Sequence, residues 1–158
     1  MDDQQTKELI DTYAAGPQLL KTAVEGMTAS DLKARPIENQ WSTLGVVCHI
    51  ADFEIVYADR IKRILAEDKP TFFGGEPDEF AAALAYDQRD LATELALIES
   101  IRAHLVVILS QLDPEQFMRT GLHSEAGEMT LKQLLINITA HVPHHVGKIK
   151  EKRTRLGQ

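Results

Sequence analysis

Apolar residues recur at helical spacing through nearly the whole chain, and the strict alternation of a half-buried strand is almost absent. The first segment runs from about Thr6 to Met27, with Leu9, Ile10, Tyr13, Leu19, Leu20 and Val24 on a rough stripe. Gly16 and Pro17 are expected to kink or divide it. In the loop that follows, Ser30 is placed to cap one short turn beginning at Asp31. Ser42 is the expected N-cap of a second helix, TLGVVCHIADFEIVYADRIKRILAE, which stops before Pro70. KPTFFGGEPD reads as a loop. A third helix is expected from near Asp78 to about Gln111, carrying Leu84, Leu91, Leu95, Ile98, Ile101, Leu105 and Ile108. DPEQFMRTGLHSEAGEM is a longer connection with room for a little extended structure. Thr130 opens the fourth helix, and with Gln133 it has the form of a capping box. Four long amphipathic helices point to an all-α four-helix bundle, residues 1–158 forming one domain. The second and third connections are long enough for a topology other than simple up-and-down, and helix order in space is left open.

Composition narrows the function classes. Hydrophobic residues make up 44% and charged residues 26%, which are globular proportions. No stretch is long and apolar enough to span a bilayer as a helix. The start, MDDQQTKELI, lacks the basic and apolar pattern of a signal peptide, so a cytoplasmic protein is expected. A formal net charge of −7 argues against nucleic-acid binding. The basic tail, KIKEKRTRLGQ, reads as cations complementing a helix dipole. Cys48, the single cysteine, can form neither an internal disulfide nor a cysteine-based zinc site. Any metal must therefore take nitrogen and oxygen ligands. Cys48 and His49 are adjacent on a helix and point about 100° apart, so a small buried cysteine is the better reading. Trp41 and Phe72–Phe73 read as packing residues.

Three of the six histidines fall in HVPHHVGKI, His141 to Ile149. Positions four apart on a helix lie within about 40° of each other, so His141 and His145 share a face and can bind one metal ion. His144 is turned about a quarter of the way round, towards the rim. Pro143 lies between the two and frees the carbonyl of Thr139. The resulting bend is expected to adjust the angle between the imidazoles; a helix ending at Val142 would instead destroy the shared face. Two histidines need a third ligand from elsewhere. His104 lies on the third helix, His123 in a loop, and His49 in apolar surroundings that by themselves suit a core histidine. Glu-x-x-His pairs, His-Glu-x-x-His, the P-loop and Gly-x-Ser-x-Gly are all absent.

WSTLGVVCHIADFE followed by MTLKQLLINITAHVPHHVGKI resembles the DinB-like superfamily, which includes YfiT-like proteins provisionally named metal-dependent hydrolases. Trp41, Ser42, His49, His141 and His145 are the matching positions, and PIENQWS and AAGPQLL also resemble the family. The resemblance covers nearly the whole chain. It implies a bundle in which His49, His141 and His145 meet around a divalent metal, usually nickel or zinc, with water in the open positions. It also implies a frequent homodimer. Some members transfer low-molecular-weight thiols, or isomerise substrates with a thiol cofactor.

Three neutral imidazoles with open positions suit catalysis more than a closed structural site. The same ligands serve a metal-activated water and a metal-bound thiolate, so they do not choose between hydrolysis and thiol transfer of a small-molecule substrate. Asp52, three residues after His49, is a candidate base or orienting group, or simply an ion-pair partner. Asn137, four residues before His141, is a candidate donor behind the ligands or a core amide. His144 is a candidate proton shuttle at the rim or an exposed histidine. The competing function is a non-catalytic bundle that binds a small ligand or protein partner, with or without metal.

Overall fold

The computed structural model describes residues 3–158; Met1 and Asp2 of the acidic start lie outside the described residues. The long helices are α1 (Asp3–Val24), α3 (Thr43–Ala66), α5 (Leu91–Leu109) and α6 (Leu131–Arg155). Two short ones, α2 (Ala29–Lys33) and α4 (Pro77–Ala83), lie in the connections. The bundle expected from periodicity is present. Its helix order is settled by packing: α1 lies against α5 and α6, and α3 lies against the same two. α1 and α3 therefore occupy opposite corners, as do α5 and α6, while α3 and α5 are neighbours; the long first and third connections permit the two diagonal crossings. Among the described residues, no helix is long and apolar enough to cross a membrane.

The core is aliphatic, built from residues such as Leu20, Ile50, Ile61, Ile98, Leu105 and Ile138. At its centre sits a buried arginine. Arg102 donates from Nε to Glu54 Oε1 at 2.8 Å, from Nη1 to the Tyr13 carbonyl at 2.7 Å, and from Nη2 to the Ile138 carbonyl at 2.9 Å. One side chain thus ties α5 to α1, α3 and α6. This explains Gly16–Pro17, which neither divides nor ends α1. Pro17 has no N–H for the Tyr13 carbonyl, and Arg102 supplies the missing donor. A Cβ on Gly16 would lie 2.1 Å from Arg102 Nη1, so only glycine leaves the space.

Other expectations are corrected. The cap of the first loop's helix is Thr28 rather than Ser30, because Thr28 and Asp31 form a reciprocal capping box. The third helix is not continuous from Asp78 to Gln111. It breaks after α4 at Ala85, whose φ is 52°, passes through a 3-10 turn at Tyr86–Gln88, and restarts at Leu91 under the Asp90 side chain. The break lets Tyr86 be buried, where its carbonyl accepts from the Cys48 thiol, and carries Arg89 to Asp52. The KPTFFGGEPD loop holds a strand, β1 (Thr71–Phe72), parallel to β2 (Thr120–His123), which pairs antiparallel with β3 (Gly127–Thr130). Thr130 caps α6 as expected, but the Gln133 amide donates onward to Asn137 instead of closing the box. In the basic tail, Arg153 donates to the carbonyls of Ala23 and Glu25 and so caps the C-terminal end of α1. α6 runs unbroken through Pro143.

Candidate metal centre

The first turns of α3 are buried on every side, from Thr43 to Asp52, so His49 has nowhere to point but inward. There its ring lies 4.9 Å from the Trp41 ring centre and 4.7 Å from that of Phe53. Across the α3–α6 seam, His141 and His145 stand one turn apart on the same face. His49 Nε2 is 2.9 Å from His141 Nε2, and His145 Nε2 is 3.1 Å from the same atom. One ligand atom from each of the three lies within 4.8 Å of the others, and among the described residues this is the group so arranged. Two bonds of about 2.1 Å from one ion reach nitrogens about 3 Å apart, so the spacing fits a shared divalent cation. An all-imidazole donor set suits zinc and nickel among other transition metals.

Burial makes these rings poor bases. It pushes the pKa of His49 down to about 4, with the charge of Asp52 opposing. His141 falls to about 2 and His145 to about 3, through burial first and then the neighbouring histidines. All three are therefore neutral at pH 7 and need shed no proton to ligate. Their Nδ1 atoms are buried without hydrogen-bond partners. The His49 ring is held by packing against Trp41 and Phe53, and that of His141 packs against Phe53, with no carboxylate behind either ring.

The remaining candidates fall outside the cluster. His144 is exposed, with its ring edge-on to His145 at 4.9 Å. The Asp52 carboxylate is held by Arg89 Nη1 at 2.9 Å, and Arg89 also pairs with Glu94. Asn137 lines a cavity of about 330 Å³ together with His49 and His141, its side-chain oxygen accepting from Gln133 at 2.8 Å. Cys48 is fully buried, and burial pushes its thiol up to about 12. His104 is exposed on α5. Phe72 is buried, while Phe73 is 72% exposed.

Sequence reasoning gave no role in the site to Tyr57 and Arg60, and left His123 as a loop histidine, although all three line the cavity. The first two were within reach of a spacing argument, because His49, Phe53, Tyr57 and Arg60 follow one another at helical intervals along one face of α3. His123 carried no such signal; it arrives through the pairing of β1 with β2, which sets Phe72 opposite His123.

Similar proteins share this frame. YfiT of Bacillus subtilis, provisionally named a metal-dependent hydrolase, is 28% identical over 155 residues, covering 98% of this chain and 87% of its own. A protein of Geobacillus thermodenitrificans with the same provisional naming is 30% identical over 157 residues, covering 98% of this chain and 87% of its own. The solved structure of YfiT, described as an unusual four-helix bundle topology, superposes with a TM-score of 0.92 at 27% identity, covering 99% of this chain and 90% of that one. A DinB-like protein of Bacillus subtilis shares the fold at a TM-score of 0.62 and 20% identity, covering 96% and 93%. A family model described as the DinB superfamily matches residues 12–149, and the chain belongs to that superfamily.

Proposed function

We propose that the protein is a metal-dependent enzyme, a hydrolase acting on a small molecule, with one nickel or zinc ion held by His49, His141 and His145. The observation that carries this reading is the convergence of three neutral imidazole nitrogens from two helices. The names of its relatives support the reaction class. A cation bound there supplies Lewis acidity, lowering the pKa of a water or thiol and polarising an electrophile. The chain contributes the rest. Trp41 and Phe53 hold the His49 ring in place, and the adjoining cavity admits a small substrate.

Thiol transfer, with a low-molecular-weight thiol as co-substrate, is the second reading, and one observation favours it. Asp52, the acid nearest His49 in sequence, is ion-paired with Arg89 and so is turned to that guanidinium rather than to the metal ligands. A thiol starts about seven pKa units closer to ionisation than water, and so depends less on such a base. The family resemblance alone supports a homodimer; light scattering during size exclusion tests it, and a strictly monomeric mass would remove it.

Metal analysis of untagged protein, beside His49→Ala and His141→Ala, tests the site. Near-stoichiometric metal lost in both variants is the expected result. Protein that stays metal-free after reconstitution would sink the proposal. Metal-dependent turnover of esters and amides, against transfer of small thiols to electrophiles, then separates the two reactions.

A further inference from the structure

Arg60 is a charge without a counterion. It is only 5% exposed, and its guanidinium lies over two rings, 5.1 Å from the Tyr57 centre and 5.5 Å from that of Phe72. Nη2 donates to the Phe73 carbonyl, while Nε is buried with no partner. The other fully buried arginine, Arg102, holds Glu54, and the half-buried Arg89 holds Asp52 and Glu94. Among the described residues, no carboxylate makes an ion pair with Arg60. The Tyr57 hydroxyl accepts a hydrogen bond from it, Asp59 and Glu125 attract it only from a distance, and Asp59 is already bound to Arg63. A buried cation left unpaired is costly, so this position calls for an anion from outside the chain.

Arg60 lines two cavities, and the one of about 330 Å³ reaches His49 and His141. Two further donors line it. His123 Nδ1 accepts from the backbone N–H groups of Glu125 and Ala126, at 3.1 and 3.2 Å, which leaves the ring proton on Nε2. The Asn137 side-chain oxygen is occupied by Gln133, which leaves its NH₂ as the free group. The cavity thus offers one full positive charge and two neutral donors. Glu125, its one lining acid, is exposed to solvent. That balance suits a singly charged planar anion better than a dianionic phosphate.

We propose that this cavity is a carboxylate subsite: Arg60 binds the carboxylate of a small substrate, assisted by His123 and Asn137, while the reacting end of the substrate faces His49 and His141. The proposal rests on the triad being the reactive centre.

The test is calorimetric titration of the zinc-loaded protein with ω-mercapto acids of increasing chain length, each beside its uncharged amide. Acid and amide carry the same thiol, so contacts with zinc through sulfur are common to both. The best acid is expected to bind about tenfold more tightly than its amide, as loss of one charge-assisted pair implies. Arg60→Gln should abolish that preference and Arg60→Lys should restore part of it, with zinc content equal in all three. Acid and amide within about twofold at every length would overturn the subsite, a criterion that needs only the unaltered protein. So would a preference that survives in Arg60→Gln, since it would mean the carboxylate binds zinc. Zinc analysis of the same samples keeps the two ideas apart. Zinc-free protein removes the metal reading, whereas zinc-loaded protein indifferent to the carboxylate removes only the subsite.

Discussion

A histidine is a ready ligand where its surroundings disfavour the protonated ring, and the triad shows what this costs the fold. His49, His141 and His145 have pKa values depressed to about 4, 2 and 3, against about 6.5 in an unfolded chain. Below pH 6.5 the unfolded chain takes up protons that the folded chain refuses. Stability of the metal-free protein is therefore fully present above that pH and falls as pH drops towards 4. Each histidine contributes at most about 1.4 kcal/mol per pH unit to the slope. Urea midpoints measured on metal-free protein between pH 7 and 4.5 should decline steadily, and His141→Phe should flatten the decline. A flat profile for the unaltered protein would contradict the burial argument. Bound metal should steepen the loss, because protons then also compete with the ion.

At the scale of the element, α6 presents a conflict between propensity and geometry. Proline inside a helix is unfavourable by about 3 kcal/mol, yet Pro143 stands exposed between His141 and His145 in an unbroken helix. Pro143→Ala restores a donor for the Thr139 carbonyl and should stabilise the protein by about 1–3 kcal/mol, read from chemical denaturation. If a bend at Pro143 sets the angle between the two imidazoles, the same variant should bind zinc more weakly in competition with a chelator. Unchanged affinity would show that the bend plays no part in ligation. The break between α4 and α5 is the second such element. Arg89 stands directly after the 3-10 turn in that break, and from there it pairs with Asp52.

Across the whole molecule, the four long helices meet at Arg102. Its partner Glu54 is fully buried, and burial raises that carboxyl's pKa against the opposing pull of the guanidinium. Arg102→Met would strand this acid and release two backbone carbonyls. A loss of about 3–5 kcal/mol is expected from denaturant unfolding. The double variant Arg102→Met, Glu54→Gln should lose less than the single one, because no uncompensated charge remains. Gly16→Ala should also destabilise, since its Cβ has no room beside the guanidinium. Equal losses in the single and double Arg102 variants would mean that packing, not charge, dominates the centre.

The sequence by itself determined what depends on neighbours along the chain. Helical periodicity specified the bundle, the hydroxyls of Ser42 and Thr130 marked two helix starts, and a spacing of four placed His141 and His145 on one face. Resemblance to a family, not spacing, brought His49 to them. Only the tertiary structure decided what depends on contacts between distant segments. These include the diagonal placement of α1 against α3 and of α5 against α6, the use of Gly16–Pro17 as a seat for Arg102, the capture of Asp52 by Arg89, and the entry of His123 into the cavity beside Arg60. The division has a physical cause. Caps and helix faces are set within one or two turns, whereas a charge, a glycine or a loop histidine acquires its role only from a partner dozens of residues away.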